Sequence, residues 1–103
     1  MDWHVKIAMK AEEDMEGIFQ YIAISLESPG IAWNQAERIR SKIEKLGFFP
    51  ERNPVIREEP WKSREEHGLN VDNYAAFYVL DRESATVTVI RILYAKRDFR
   101  LIP

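Results

Sequence analysis

The last ten residues read YAKRDFRLIP and hold the chain's clearest mixture of cationic and aromatic side chains. Tyr94, Lys96, Arg97, Phe99 and Arg100 sit together, and with Arg91 the segment carries four positive charges against the single negative charge of Asp98. Cations that meet phosphates, beside rings that stack on bases, suit single-stranded RNA or a ribosomal surface. The same residues also fit a plainer reading, a strand that leaves a core and ends in solvent with Arg97 and Asp98 paired to neighbours.

His67 falls on an expected strand beside that cationic segment, where an imidazole can act as general acid or base near neutral pH. A surface histidine without a role fits the position too. His4 falls on the polar side of an edge-like strand and is expected to face solvent. With two histidines far apart, no cysteine and no ligand-like spacing, neither a metal site nor a cofactor is expected. Glu58, Glu59, Glu65 and Glu66 flank the His67 strand as a candidate base or as a solvated rim. No glycine-rich phosphate loop and no serine in a nucleophile-elbow setting occurs. Phe19, Trp33 and Trp61 fit either a partner-binding surface or the core.

The elements that must carry these groups follow from periodicity. Val5, Ile7 and Met9 alternate with His4, Lys6 and Ala8, which predicts a half-buried strand over residues 3–9. From Glu12 the apolar residues Met15, Phe19, Ile22 and Leu26 recur at helical spacing behind an acidic first turn, predicting a helix that ends near Ser28. Ser28 as cap and Pro29 in the first turn predict a second helix, with Ala32, Ala36, Ile39, Ile43 and Leu46 on its apolar side and Gly47 as its C-terminal cap. Two such helices joined by a short turn should pack antiparallel and cover a sheet. Residues 48–60 contain three prolines and read as a loop long enough to hide a short irregular strand. Strands are expected over residues 67–71, 74–80 and 86–95, with a polar turn at 81–84; the middle one is apolar throughout, as for a strand buried on both faces. Arg91 interrupts an otherwise apolar face of the last strand. The whole is an α+β domain: an N-terminal strand, an antiparallel helical hairpin, then a three-stranded antiparallel meander, forming one curved sheet.

At 103 residues, 46% of them apolar, the chain has the size of one domain, expected to span residues 1–103. A net charge of -2 gives no global attraction to nucleic acid or anionic membrane, so any such attraction is local. The absence of cysteine suits a reducing cytoplasm, and the first ten residues lack a secretory apolar region. No apolar run approaches the ~20 residues of a membrane helix. A cytoplasmic protein without a membrane partner is expected.

In this order, the pieces AEEDMEGIFQYIA, SPGIAW, KIEKLGFFPE, EEPWKS, NVDNYAAFYVLD and VTVIRILYAKRDF make the chain resemble the RelE/ParE toxin superfamily over almost its entire length. The combination of Asn73-Tyr74 through Tyr78 with Ile90-Arg91-Ile92 and Lys96-Arg97-Asp98 carries most of the resemblance. It implies a helical hairpin on a curved antiparallel sheet, and the toxin half of a type II toxin-antitoxin (plasmid stabilisation) pair that inhibits growth. RelE-like members cut mRNA in the ribosomal A site as mRNA interferases, whereas ParE-like members inhibit DNA gyrase, so fold alone does not choose between an endoribonuclease and a binding inhibitor. For a nuclease, the resemblance implies that Arg97 contacts the scissile phosphate and Lys96 and Arg91 help position mRNA. His67 would then serve as general base, and Tyr94 is the nearest counterpart of the C-terminal tyrosine of some relatives. Two departures weaken that set. Tyr74 is followed by Ala75 where the nucleases commonly have arginine, and Glu65, Glu66 and His67 stand where a Gly-Leu-Arg-like stretch is usual, so His67 takes the arginine's place. A degenerate member that only binds its antitoxin is the third alternative. The resemblance also implies a cognate antitoxin whose disordered segment folds across the hairpin or pairs with a sheet edge.

Overall fold

In the computed structural model, which describes residues 2–95, the alternation at the N-terminus becomes strand β1 (His4–Ile7), with Val5 and Ile7 half-buried and His4 and Lys6 exposed. The alternation was expected to run to Met9, but the chain turns earlier. Ala8 donates its N–H to the Val89 carbonyl and its own carbonyl accepts Glu12 N–H, so helix α1 (Met9–Gln20) begins there and Met9 is 79% exposed on its first turn. Beyond α1 the coil widens into a π-helical turn (Tyr21–Ser25), closed by Leu26 N–H on the Tyr21 carbonyl. Helix α2 (Pro29–Glu44) starts at the expected proline. Ser28 does not cap it; its hydroxyl donates instead to the Leu26 carbonyl at 3.0 Å. Gly47 is not a left-handed cap either, since it lies in a 3-10 turn (Lys45–Gly47) without positive φ. Its role is close approach: its carbonyl accepts Trp3 N–H at 2.8 Å, and a Cβ there would lie 3.1 Å from the Trp3 carbonyl oxygen.

The remaining strands are β2 (His67–Val71), β3 (Tyr74–Asp81) and β4 (Thr86–Tyr94). Their antiparallel meander matches expectation, and β1 joins it parallel to β4, giving the order β1-β4-β3-β2. A bulge at the step from Phe77 to Tyr78 leaves Ile90 of β4 unpaired: Phe77 faces Arg91 and Tyr78 faces Val89. Such a bulge bends and twists the strand locally.

Both faces of β3 are buried. Ala76 and Tyr78 join Val71, Val87, Val89 and Ile92 in a cluster with Ala11, Met15, Ile39, Ile43 and Leu46 of the helical layer. On the opposite face Ala75, Phe77 and Leu93 are covered by Trp61, which is 3% exposed and stacked on Phe77 at 5.6 Å. Trp61 is brought there by the long segment after α2. That segment contains a 3-10 turn (Pro50–Arg52) and, as anticipated, a hidden scrap of strand in which Val55 bridges His67 and Ile56 N–H reaches the Glu66 carbonyl.

Candidate functional site

Where β4 ends, Ala95 N–H donates to the Asn73 carbonyl at 2.7 Å, which fixes the root of the cationic segment at the β2–β3 turn. Lys96 and Arg97, the central expected site residues, lie outside the described residues. Tyr94, the last residue of β4, is 40% exposed and meets Tyr74 edge-to-face at 5.8 Å. Burial pushes the Tyr74 phenol upward in pKa, and the neighbouring phenols of Tyr94 and Tyr21 add to that. The root of the segment is therefore a group of three tyrosines drawn from β3, β4 and the π-helical turn, a surface suited to stacking on flat rings.

Arg91 lies three residues earlier and is committed elsewhere. Its Nε and Nη2 donate to the two Asp14 carboxylate oxygens at 2.7 and 3.1 Å, and Ile92 N–H donates to the same carboxylate at 3.0 Å. β1 pairs with β4 only as far as Val89, so Asp14 supplies an acceptor to the β4 edge just beyond the reach of that strand. The Asp14 hydrogen bonds hold the Arg91 guanidinium above its ordinary pKa, partly offset by burial. A cation clamped in this way helps fasten α1 to the sheet.

The expected nearness of His67 to Lys96 and Arg97 falls outside the described residues, but His67 is set well back from the end of β4. His67 pairs with Tyr78 while Tyr94 pairs with Tyr74, and Tyr74 in turn faces Val71. Four residues of β2 thus separate His67 from the level of Tyr94, about 13 Å along the sheet. Nor does His67 lie on the surface, being only 7% exposed. Its ring stacks on Tyr78 at 5.1 Å, and its Nδ1 lies 2.5 Å from the Asn53 carbonyl oxygen. A carbonyl oxygen only accepts, so Nδ1 carries the proton. Asn53 Nδ2 donates to the Tyr78 hydroxyl, which donates on to the Pro50 carbonyl at 2.5 Å. Burial raises the Tyr78 pKa, opposed by Asn53 and the Arg52 charge. Periodicity gave no sign of this network, because Pro50 and Asn53 come from a segment that has no period.

Among the carboxylates, Glu58, Glu59 and Glu65 are exposed. Glu59 accepts the Ser63 N–H and hydroxyl, and these bonds hold it below the usual carboxylate range. Glu66 departs from the expected solvated rim. It is buried, and desolvation pushes its pKa up despite Arg64 nearby. Of the aromatic candidates, Trp61 is core, whereas Trp33 is 66% exposed against the edge of Phe19 on the hairpin surface. Among the described residues no three potential ligands gather as a metal site, and no helix is long and apolar enough to cross a membrane.

The family model described as the ParE toxin of the type II toxin-antitoxin system parDE matches residues 5–99. The chain belongs to the ParE toxin family. Solved structures with the same fold include the chromosomal ParDE toxin-antitoxin system from P. aeruginosa, at 16% identity and a TM-score of 0.74, covering 91% of this chain and 97% of that one. The toxin-antitoxin complex RelBE2 from Mycobacterium tuberculosis is similar at 19% identity and a TM-score of 0.64, covering 91% and 99%. A mutant of the E. coli toxin RelE in the free state matches at 16% identity and 0.64, covering 93% and 86%. A search of curated protein sequences found no match. Membership in the ParE toxin family accords with the resemblance read from the ordered sequence pieces. At these identities the structural likeness speaks for the fold alone.

Proposed function

We propose that this ParE-family chain inhibits growth by holding a macromolecular target, DNA gyrase, through its C-terminal surface, without breaking a bond itself. The observation that carries this reading is the engagement of the groups a nuclease would need. Arg91 is bound by both Asp14 oxygens, and His67 is buried with Nδ1 on a backbone carbonyl, remote from the end of β4. A general base must come within hydrogen-bond reach of the proton it removes, and neither placement favours that at the cationic end. A binding surface asks only for exposed, complementary groups, and the exposed Tyr94 ring beside the half-buried Tyr74 is one such group.

One sequence feature favours ribosome-dependent mRNA cleavage as a second reading: Arg97 follows Lys96 at the position of the phosphate-contacting arginine of RelE-like nucleases. In that reading Arg97 would neutralise charge on the phosphate and Tyr94 would stack on a base. In either reading a cognate antitoxin is the proposed partner, as the ParDE and RelBE2 assemblies suggest by analogy.

The test is induction of the chain without a partner, beside Arg97→Ala, with plasmid supercoiling and mRNA 5' ends followed together. Lost supercoiling with intact mRNA is expected, with a weaker effect in Arg97→Ala at equal soluble yield. Cuts at A-site codons would replace the binding reading with the nuclease one. Unaffected growth would mark a degenerate member that binds only its antitoxin.

A further inference from the structure

Phe48 and Phe49 are neighbours in the chain, 66% and 62% exposed. With half-buried Trp3 and exposed Glu51 they line an open hollow of about 310 Å³. Phe49 stands there at φ 105, a left-handed backbone conformation that a bulky L side chain rarely adopts. The burial of Pro50 directly after it sends the chain this way, but glycine at position 49 would follow the same path with less strain. A ring kept in solvent at a strained position adds little to the core, and outliers of this kind cluster where a surface has work to do.

Backbone hydrogen bonds hold the walls. Trp3 N–H donates to the Gly47 carbonyl at 2.8 Å, and the Trp3 side chain is backed by the main core cluster. Phe48 N–H donates to the Lys45 carbonyl at 3.1 Å, and the Phe49 carbonyl accepts the Arg52 N–H and Nε at 3.3 and 3.2 Å. Among the described residues, Glu51 is the one charged group of the lining. Its Oε2 accepts Arg82 Nη1, and its Oε1 has no hydrogen bond among the described residues. Three rings and an available carboxylate oxygen therefore share one preformed hollow, and both kinds of group attract a cation.

We propose that this hollow receives the side chain of an arginine presented by a polypeptide partner, with the guanidinium against the rings and an N–H given to Glu51 Oε1. Arginine suits it better than lysine, because a guanidinium is flat, weakly hydrated and stacks on aromatic faces, whereas an ammonium is a strongly hydrated point charge. A quaternary ammonium suits it less well, since it has no N–H for Oε1 to accept. The hollow lies by the start of β4, where His4 pairs with Thr86, whereas Tyr94 ends that strand about 25 Å further on. The inference is thus independent of the surface proposed to hold the target, and its test uses purified protein alone.

The probe is an acetylated, amidated Gly-Arg-Gly peptide, titrated to tens of millimolar into the 15N-labelled chain and followed through the Trp3 indole N–H and the Phe48 and Phe49 amides. Peptides with lysine or citrulline in place of arginine, and tetramethylammonium chloride, are titrated alongside; citrulline keeps the shape of arginine and removes its charge. Saturable shifts with the arginine peptide are expected, with the lysine and citrulline peptides about threefold weaker or more. Glu51→Gln should weaken the arginine peptide about threefold and leave the citrulline peptide unchanged. Phe49→Gly should melt no lower than the parent, because it releases strain at an exposed position, and yet lose most of the affinity. Unmoved signals at the highest concentration, equal affinity for the citrulline peptide, or full affinity in Phe49→Gly would overturn the proposal. A Phe49→Gly variant that melts well below the parent would make the ring a support of the fold and overturn it as well. Tighter binding of tetramethylammonium at the same signals would replace it with a quaternary ammonium site.

Discussion

Asp14 shows how one carboxylate can serve two neighbours at once, a guanidinium and a strand edge. It is 77 residues from Arg91 in sequence, and its side chain is only 12% exposed. Asp14→Ala leaves Arg91 half-buried without its acceptor and Ile92 N–H without a partner. The urea midpoint is expected to fall by the equivalent of about 2 kcal/mol with an unchanged m-value. Removing both charges, as Asp14→Leu with Arg91→Leu, should restore part of that loss, because an unpaired buried charge costs more than an absent pair. A double variant less stable than Asp14→Ala would contradict this account of the clamp. Glu66 is the opposite case. Its pKa in the folded chain is raised above 4.5 by desolvation, so the contribution favours folding below the unfolded carboxylate pKa and is lost as pH rises through the folded value. Glu66→Gln should therefore be more stable than the parent at pH 7, with the difference shrinking toward pH 4; a gap in Tm that is flat with pH would refute it. Neither role was legible in the sequence. Asp14 read as one acid in a helical first turn and Glu66 as part of a rim, because each role is set by a residue or cover that arrives from a distant element.

The elements themselves were largely readable, since each buried stripe has a period. Alternation or an apolar run marked β1, β3 and β4, and spacings of three and four marked both helices, whereas β2 was placed without such a pattern. What periodicity missed was the aperiodic. The onset of α1 at Met9 depends on Ala8 meeting Val89, and the burial of His67 depends on Pro50 and Asn53 in a proline-bearing segment. Trp61 belongs with these, because its position against Phe77 helps a sheet with one helical layer bury both faces of β3. Trp61→Ala should lower stability by about 3 kcal/mol while leaving the far-ultraviolet helical signal unchanged. A loss below about 1 kcal/mol would mean that this second cluster contributes little.

For the molecule as a whole, the described fold stops at Ala95, inside the segment that was first singled out for chemistry. Lys96 and Arg97 were legible as residue types, but their use depends on what surrounds them beyond Ala95, and the sequence put mRNA cleavage first with gyrase inhibition as the alternative. The order of the sheet has a separate consequence for how the chain becomes a working protein. Because His4 pairs with Thr86 and Ile7 with Val89, the first strand finds its place only after the last has been made. A nascent chain can build the helical hairpin early, but it cannot close the sheet until β4 has been synthesised. A fragment ending at Ser84 is therefore expected to keep helical signal yet to melt without cooperativity, and a sharp two-state transition in that fragment would refute this. For a chain of a toxin family, the complete sheet thus waits on its last-made strand, an interval in which a neutralising partner can come to hand.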